Sequence, residues 1–119
     1  MNIIAVDDEQ LALKVLIDCI KEVEPSANIY AFKRPSEVLE FAKNNYCEVA
    51  FLDIELNGMN GVVLGKILKK YIPNINIIFV TGYPEYMSEA FLLRVSGYIL
   101  KPPTKEAIEK ELKDLRNPI

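Results

Sequence analysis

Four short apolar runs in this 119-residue chain end in residues suited to handling a phosphoryl group. Asn2-Ile3-Ile4-Ala5-Val6 ends in Asp7-Asp8-Glu9, and Val49-Ala50-Phe51-Leu52 ends in Asp53. Ile77-Ile78-Phe79-Val80 ends in Thr81-Gly82, and Tyr98-Ile99-Leu100 ends in Lys101-Pro102. In a parallel sheet, side chains at the carboxyl ends of neighbouring strands converge on one edge, where open α/β sheets build their sites. Three carboxylates, a hydroxyl and an ammonium would meet there. Such a set can hold a divalent cation and present one aspartate as a nucleophile.

Each residue also has a plainer explanation. Adjacent carboxylates such as Asp7 and Asp8 repel unless a cation neutralises them. Mg²⁺ suits that place, because it takes a few carboxylates and keeps water and phosphate oxygens as its other ligands. The alternative is that Asp8 caps a helix while Asp7 is solvated. Asp53 closes a run so apolar that its charge needs a partner, either Lys101 or a metal. It could attack phosphorus and become an acyl phosphate, or simply start a turn. Thr81 could bond a phosphoryl oxygen or merely finish a strand. Lys101 could pair with the carboxylates before phosphorylation and with a phosphoryl oxygen afterwards. X–Pro bonds are the usual site of cis peptides, and one at Pro102 would help aim the lysine. Its plain alternative is a surface lysine ahead of a proline pair.

The elements that must position these residues follow from alternation. Apolar runs alternate with helical patterns throughout, which marks a parallel sheet covered on both faces. Strands are expected at about 2–6, 28–32, 48–53, 76–81 and 97–100. The first helix should run from near Glu9 to Val23, with Ala12, Leu16, Cys19, Ile20 and Val23 on its apolar face. Pro35 suits the first position of helix two, where a missing N–H has no partner to lose. Gly58 and Gly61 bracket the loop after Asp53, and Leu64, Ile67, Leu68 and Tyr71 share one face of helix three. Pro84 should begin helix four, carrying Met87, Ala90 and Phe91. Thr104 should cap helix five, whose Ile108, Leu112 and Leu115 face inward.

Composition narrows the function. Such a length makes one domain, and 50% hydrophobic with 26% charged residues excludes disorder. A net charge of −3 offers no basic stripe for nucleic acid. With no histidine, imidazole acid/base chemistry and His-ligated zinc are excluded. Cys19 and Cys47 are far from metal spacing and read as reduced structural residues. No apolar run approaches the roughly 20 residues a bilayer span needs. Met1-Asn2-Ile3 runs directly into a strand rather than a secretory signal, so a cytoplasmic location is expected.

Taken together, Val6-Asp7-Asp8-Glu9, Phe51-Leu52-Asp53-Ile54 with Gly58-Met59-Asn60-Gly61, Val80-Thr81-Gly82-Tyr83 and Gly97-Tyr98-Ile99-Leu100-Lys101-Pro102 resemble the receiver domain of bacterial two-component response regulators. The resemblance implies a flavodoxin-like, doubly wound (βα)5 fold with strand order 2-1-3-4-5. It implies that Asp53 accepts a phosphoryl group from a sensor histidine kinase. Asp8, Asp53 and the main-chain carbonyl of Glu55 would bind Mg²⁺ directly, and Asp7 through metal-bound water. Lys101 and Thr81 would contact the phosphoryl group, and Tyr98 would turn inward as Thr81 moves toward it. Glu55 and Tyr83 would tune dephosphorylation. The α4-β5-α5 face would carry the output and is often used for homodimerisation, with Tyr86, Glu89, Arg94, Lys105 and Glu109 as its exposed candidates.

Three positions depart from the family pattern. Asn57 stands where proline is usual, Gly97 replaces a common acidic residue, and Pro103 makes a double proline after Lys101. The receiver should span 1–116, with 117–119 beginning a linker. Either the domain acts alone by binding partners, or it is the receiver part of a longer regulator, whose output domain, absent from this chain, would be a DNA-binding transcriptional module, of LytTR or similar type.

Three other readings compete with this resemblance. A haloacid dehalogenase-type phosphatase would share Asp, Thr, Lys and Mg²⁺, but it needs an Asp-x-Asp pair, where this chain has Asp53-Ile54-Glu55. A flavodoxin-like carrier would not place Asp7-Asp8-Glu9 beside a phosphate. A phosphorylation-independent interaction module is the third; receivers of that kind usually lose an acidic or lysine position, and all are kept here.

Overall fold

A computed structural model describes residues 1–119. Five strands and five helices alternate: β1 (Asn2–Val6), α1 (Gln10–Val23), β2 (Asn28–Phe32), α2 (Pro35–Ala42), β3 (Val49–Leu52), α3 (Gly61–Tyr71), β4 (Asn76–Thr81), α4 (Met87–Leu93), β5 (Gly97–Leu100) and α5 (Lys105–Lys113). All strand pairs are parallel, in the order β2-β1-β3-β4-β5. Register aligns Val6 with Leu52, Leu52 with Phe79, and Thr81 with Leu100, so Asp7, Asp53 and Lys101 all emerge from one edge.

The two-residue period of the strands divides the core. Ile4, Val6, Ala50, Leu52, Ile77 and Phe79 pack with residues of α2, α3 and α4. Ile3, Ala5, Val49, Phe51, Ile78 and Val80 pack against α1 and α5. β3 and β4 are buried at every position, as central parallel strands must be. On the outer strand β2, Tyr30 and Phe32 instead lie against Phe41 of α2, with ring centroids 4.8 and 5.3 Å apart.

Several local expectations hold. Pro35 is the first residue of α2, and the Thr104 hydroxyl accepts from the Ala107 N–H at 3.1 Å to cap α5. Others do not. Asp8 does not cap α1: Glu9 occupies the cap position and makes no side-chain cap bond. Tyr71 is exposed rather than on the buried face of α3. The segment Pro84–Tyr86 forms a 3₁₀ turn, and α4 starts only at Met87, a common way to enter a short helix. α4 ends on Arg94 with φ 60°, a left-handed position usually left to glycine. Of its apolar residues, only Ala90 is buried; Met87, Phe91 and Leu92 face solvent. Gly97 lets the Glu111 side chain fold over β5, through the space a Cβ would take.

Candidate functional site

Asp7, Asp8 and Asp53 offer carboxylate oxygens that all lie within 4.8 Å of one another. Asp7 and Asp53 are buried and Asp8 is half-buried. The Lys101 ammonium reaches into the cluster from the end of β5, 2.6 Å from Asp7 Oδ2 and 3.0 Å from Asp53 Oδ2. The Lys101–Pro102 peptide that follows it is cis.

The loop from Asp53 to Gly61 is shaped by backbone contact. Asp53 Oδ1 accepts from the Ile54 N–H at 2.7 Å, and the Gly61 N–H donates to the Ile54 carbonyl at 2.7 Å. A Cβ at Gly61 would collide with the Asp53 carbonyl, so only glycine allows this approach. Asn60 then caps α3 by accepting from the Val62 N–H. Two further backbone donors hold the acidic corner: Glu9 N–H to Asp7 Oδ1 at 3.0 Å, and Asn57 N–H to Asp8 Oδ2 at 3.1 Å.

Three carboxylates face one ammonium, so the corner carries uncompensated negative charge. Burial pushes the Asp7 carboxyl above its usual range, against the opposing pull of Lys101 and the Glu9 N–H. Burial alone would lower Lys101, but its bonds to Asp7 and Asp53 outweigh this and hold it higher. Hard oxygen donors around excess negative charge are what Mg²⁺ requires.

Thr81 closes β4 on the same edge, fully buried; its hydroxyl accepts from the Tyr83 N–H at 3.4 Å, and its carbonyl accepts from the Lys101 N–H at 2.8 Å. Tyr98 is half-buried on β5, with its ring edge toward Phe79 (centroids 6.2 Å apart) and its hydroxyl donating to the Tyr83 carbonyl. Tyr83 itself is exposed. The main-chain carbonyl of Glu55 takes part in no backbone hydrogen bond. The Glu55 carboxylate accepts instead from the Tyr86 hydroxyl at 2.8 Å. Tyr86, expected on the exposed output face, is half-buried and packs on the core, whereas Glu89, Arg94, Lys105 and Glu109 are exposed. No local pattern signals the Tyr86–Glu55 contact, because 31 residues separate the partners.

A doubly wound parallel sheet with an Asp-Asp, Asp, Thr and Lys edge defines a class, and the chain belongs to it: residues 3–113 match the response regulator receiver domain family. It is a response regulator receiver domain. The chain is 34% identical over 115 residues to the transcriptional regulatory protein YpdB of Escherichia coli K12, covering 97% of this chain and 47% of that protein. It is 37% identical to the sensory transduction protein LytT of Bacillus anthracis, covering 95% of this chain and 46% of the relative. It thus spans about half the length of the curated relatives it matches. Among solved structures, the response regulatory domain of mrkE from Klebsiella pneumoniae superposes with a TM-score of 0.87 at 33% identity, covering 97% of this chain and 94% of that one. A CheY-like receiver domain from Methanospirillum hungatei JF-1 gives a TM-score of 0.81 at 25% identity, covering 94% and 90%. No helix is long and apolar enough to cross a membrane.

Proposed function

We propose that this domain accepts a phosphoryl group on Asp53 and relays its arrival to the α4-β5-α5 face. The observation that carries the reading is the Lys101 ammonium bridging Asp7 and Asp53 beside Asp8. An Asp53 oxygen attacks phosphorus as the bond to the donor breaks, leaving an acyl phosphate. The donor is a phosphohistidine of a sensor histidine kinase, or a small acyl phosphate. Lys101 then exchanges its Asp53 contact for a phosphoryl oxygen while keeping Asp7.

Asp7, Asp8, Asp53 and the Glu55 carbonyl would hold Mg²⁺, which supplies charge neutralisation for the incoming phosphoryl oxygens. Thr81 donates its hydroxyl to the phosphoryl group, giving up its place beside the Tyr83 N–H. Tyr98 lies one strand over and already bonds the segment after Thr81, which supports its role as the aromatic that follows that movement. Residues 1–116 act as the receiver, and 117–119 begin a linker whose first residue, Asn117, is still tied to the domain through Asn76. A relative named as a transcriptional regulatory protein, 47% of which this chain covers, supports a transcriptional output; we take that output to be DNA-binding and the regulator to be cytoplasmic. The acidic receiver itself does not contact nucleic acid. The exposed α4 and α5 residues suit a homodimer on activation.

Incubation with Mg²⁺ and acetyl phosphate, followed by intact mass, tests the reading. One added phosphoryl group is expected, absent in Asp53→Asn and without Mg²⁺. An unmodified wild type that binds no Mg²⁺ points instead to a phosphorylation-independent module.

A further inference from the structure

Two tyrosine hydroxyls hold the short segment between β4 and α4. From one side, Tyr98 on β5 donates to the Tyr83 carbonyl. From within the segment, Tyr86 donates to Glu55 Oε2 at 2.8 Å, across to the loop that follows Asp53. Glu55 is exposed and stands two residues past the proposed nucleophile. Its carboxylate has no cationic partner within salt-bridge distance, since the ion pairs of the domain involve other acids. The phenol is therefore the one side-chain group that fixes where this carboxylate sits. The Tyr86 ring is anchored in turn against the core cluster that contains Phe79 and Ala90.

Hydrolysis of an aspartyl phosphate needs a water whose oxygen attacks phosphorus. The bond from phosphorus to the Asp53 oxygen breaks, the carboxylate leaves, and a proton leaves the water. With Asp7 and Asp8 committed to the cation and to Lys101, the Glu55 carboxylate, two residues past Asp53 on the loop that follows it, is the remaining acid of this corner able to orient that water and accept its proton. Engaged by a phenol, its oxygen is both partly neutralised and directed toward α4.

We propose that Tyr86 is a positioning residue for Glu55, holding its carboxylate on the α4 side and so prolonging the phosphorylated state. The inference rests on Asp53 being the phosphoacceptor. It also gives the 3₁₀ turn at Pro84–Tyr86 a purpose, because that turn delivers the phenol ahead of the helix.

The test uses wild type, Tyr86→Phe, Glu55→Ala and the double variant, each phosphorylated with acetyl phosphate and Mg²⁺ and followed by intact mass after removal of the donor. Tyr86→Phe keeps the ring and should melt with the wild type, yet lose phosphate roughly three- to tenfold faster, the upper end corresponding to about 1.4 kcal/mol in the barrier. In the Glu55→Ala background, Tyr86→Phe should change nothing. A spectroscopic arm reads the bond itself. With ¹³Cζ-labelled tyrosine, six signals are expected from six tyrosines, and the one absent in Tyr86→Phe should shift in Glu55→Ala. Equal decay of wild type and Tyr86→Phe overturns the proposal, as does an acceleration that persists without Glu55. If wild type takes up no phosphate at all, the phosphoacceptor reading itself fails, and this inference falls with it.

Discussion

The main-chain N–H of Asn57 donates to Asp8 Oδ2 at 3.1 Å, a bond that the proline usual at this position in the family could not make. A cation that takes this Asp8 oxygen must share it with the donor or displace it. Asn57→Pro should therefore bind Mg²⁺ about fivefold more tightly, roughly 1 kcal/mol, while Asn57→Ala, which keeps the N–H, should match the wild type. Calorimetric titration of the three proteins decides it. Weaker binding by the proline variant would mean that the bond preorganises Asp8 instead.

Asp7 is a buried carboxylate whose charged form burial disfavours. Because burial raises its folded pKa above 3.8, the stability it contributes is complete below that value and is lost as pH rises through the folded one. Asp7→Asn removes this loss, so at neutral pH in EDTA it should melt above the wild type, and its melting temperature should respond less to added Mg²⁺. Lys101→Met should do the opposite, lowering stability by about 1–3 kcal/mol, because it leaves two buried carboxylates unpaired; the lysine's own quarter exposure to solvent keeps the loss below that of a fully buried pair. Thermal melts with and without Mg²⁺ read both effects.

Cys47 is fully buried, and burial pushes its thiol up to about 11. Unfolded, it would ionise near 9.0, so the stability tied to this group is intact below pH 9 and lost as pH climbs toward 11. At pH 8, iodoacetamide should label the half-buried Cys19 first and reach Cys47 only with urea present. Peptide mapping of timed samples would show the order. Equal labelling rates in the native protein would contradict the burial argument.

Asn76 holds a junction far from the acidic corner. Only 1% exposed, it donates to the carbonyls of Glu48 and Asn117 and accepts from the Ser96 hydroxyl and the Asn117 N–H. Asn76→Ala leaves several of those groups without partners, so a loss of about 2–4 kcal/mol is expected in urea unfolding. Amide exchange at Asn117 should rise even under native conditions.

These contrasts show what the sequence could disclose. The five strands were legible because each is a short apolar run stopped by polar residues, and the edge chemistry was legible because Asp7, Asp53, Thr81 and Lys101 are those stops. Thr104 and Pro35 announced their helices through local backbone chemistry. The fourth helix was less clear: Pro84 marked a start, but the segment first takes a 3₁₀ turn, and exposed Phe91 and Leu92 obscure the buried face that only Ala90 defines. Tyr86, Asn57 and Asn76 act through partners 31, 49 and 20 to 41 residues away. Periodicity carries no information at that range. Asn76, at the start of an apolar strand, looks like an ordinary turn residue until the fold brings Ser96 and Asn117 to it.

Signalling by this domain turns on an acyl phosphate at Asp53. Protein treated with Mg²⁺ and acetyl phosphate should be quenched with borohydride, which reduces an acyl phosphate to the alcohol, and then digested and mapped by mass. Asp53, and no other acidic residue, should be converted to homoserine, with Asp53→Asn giving no product. Reduction at Asp7 or Asp8 in place of Asp53 would contradict it.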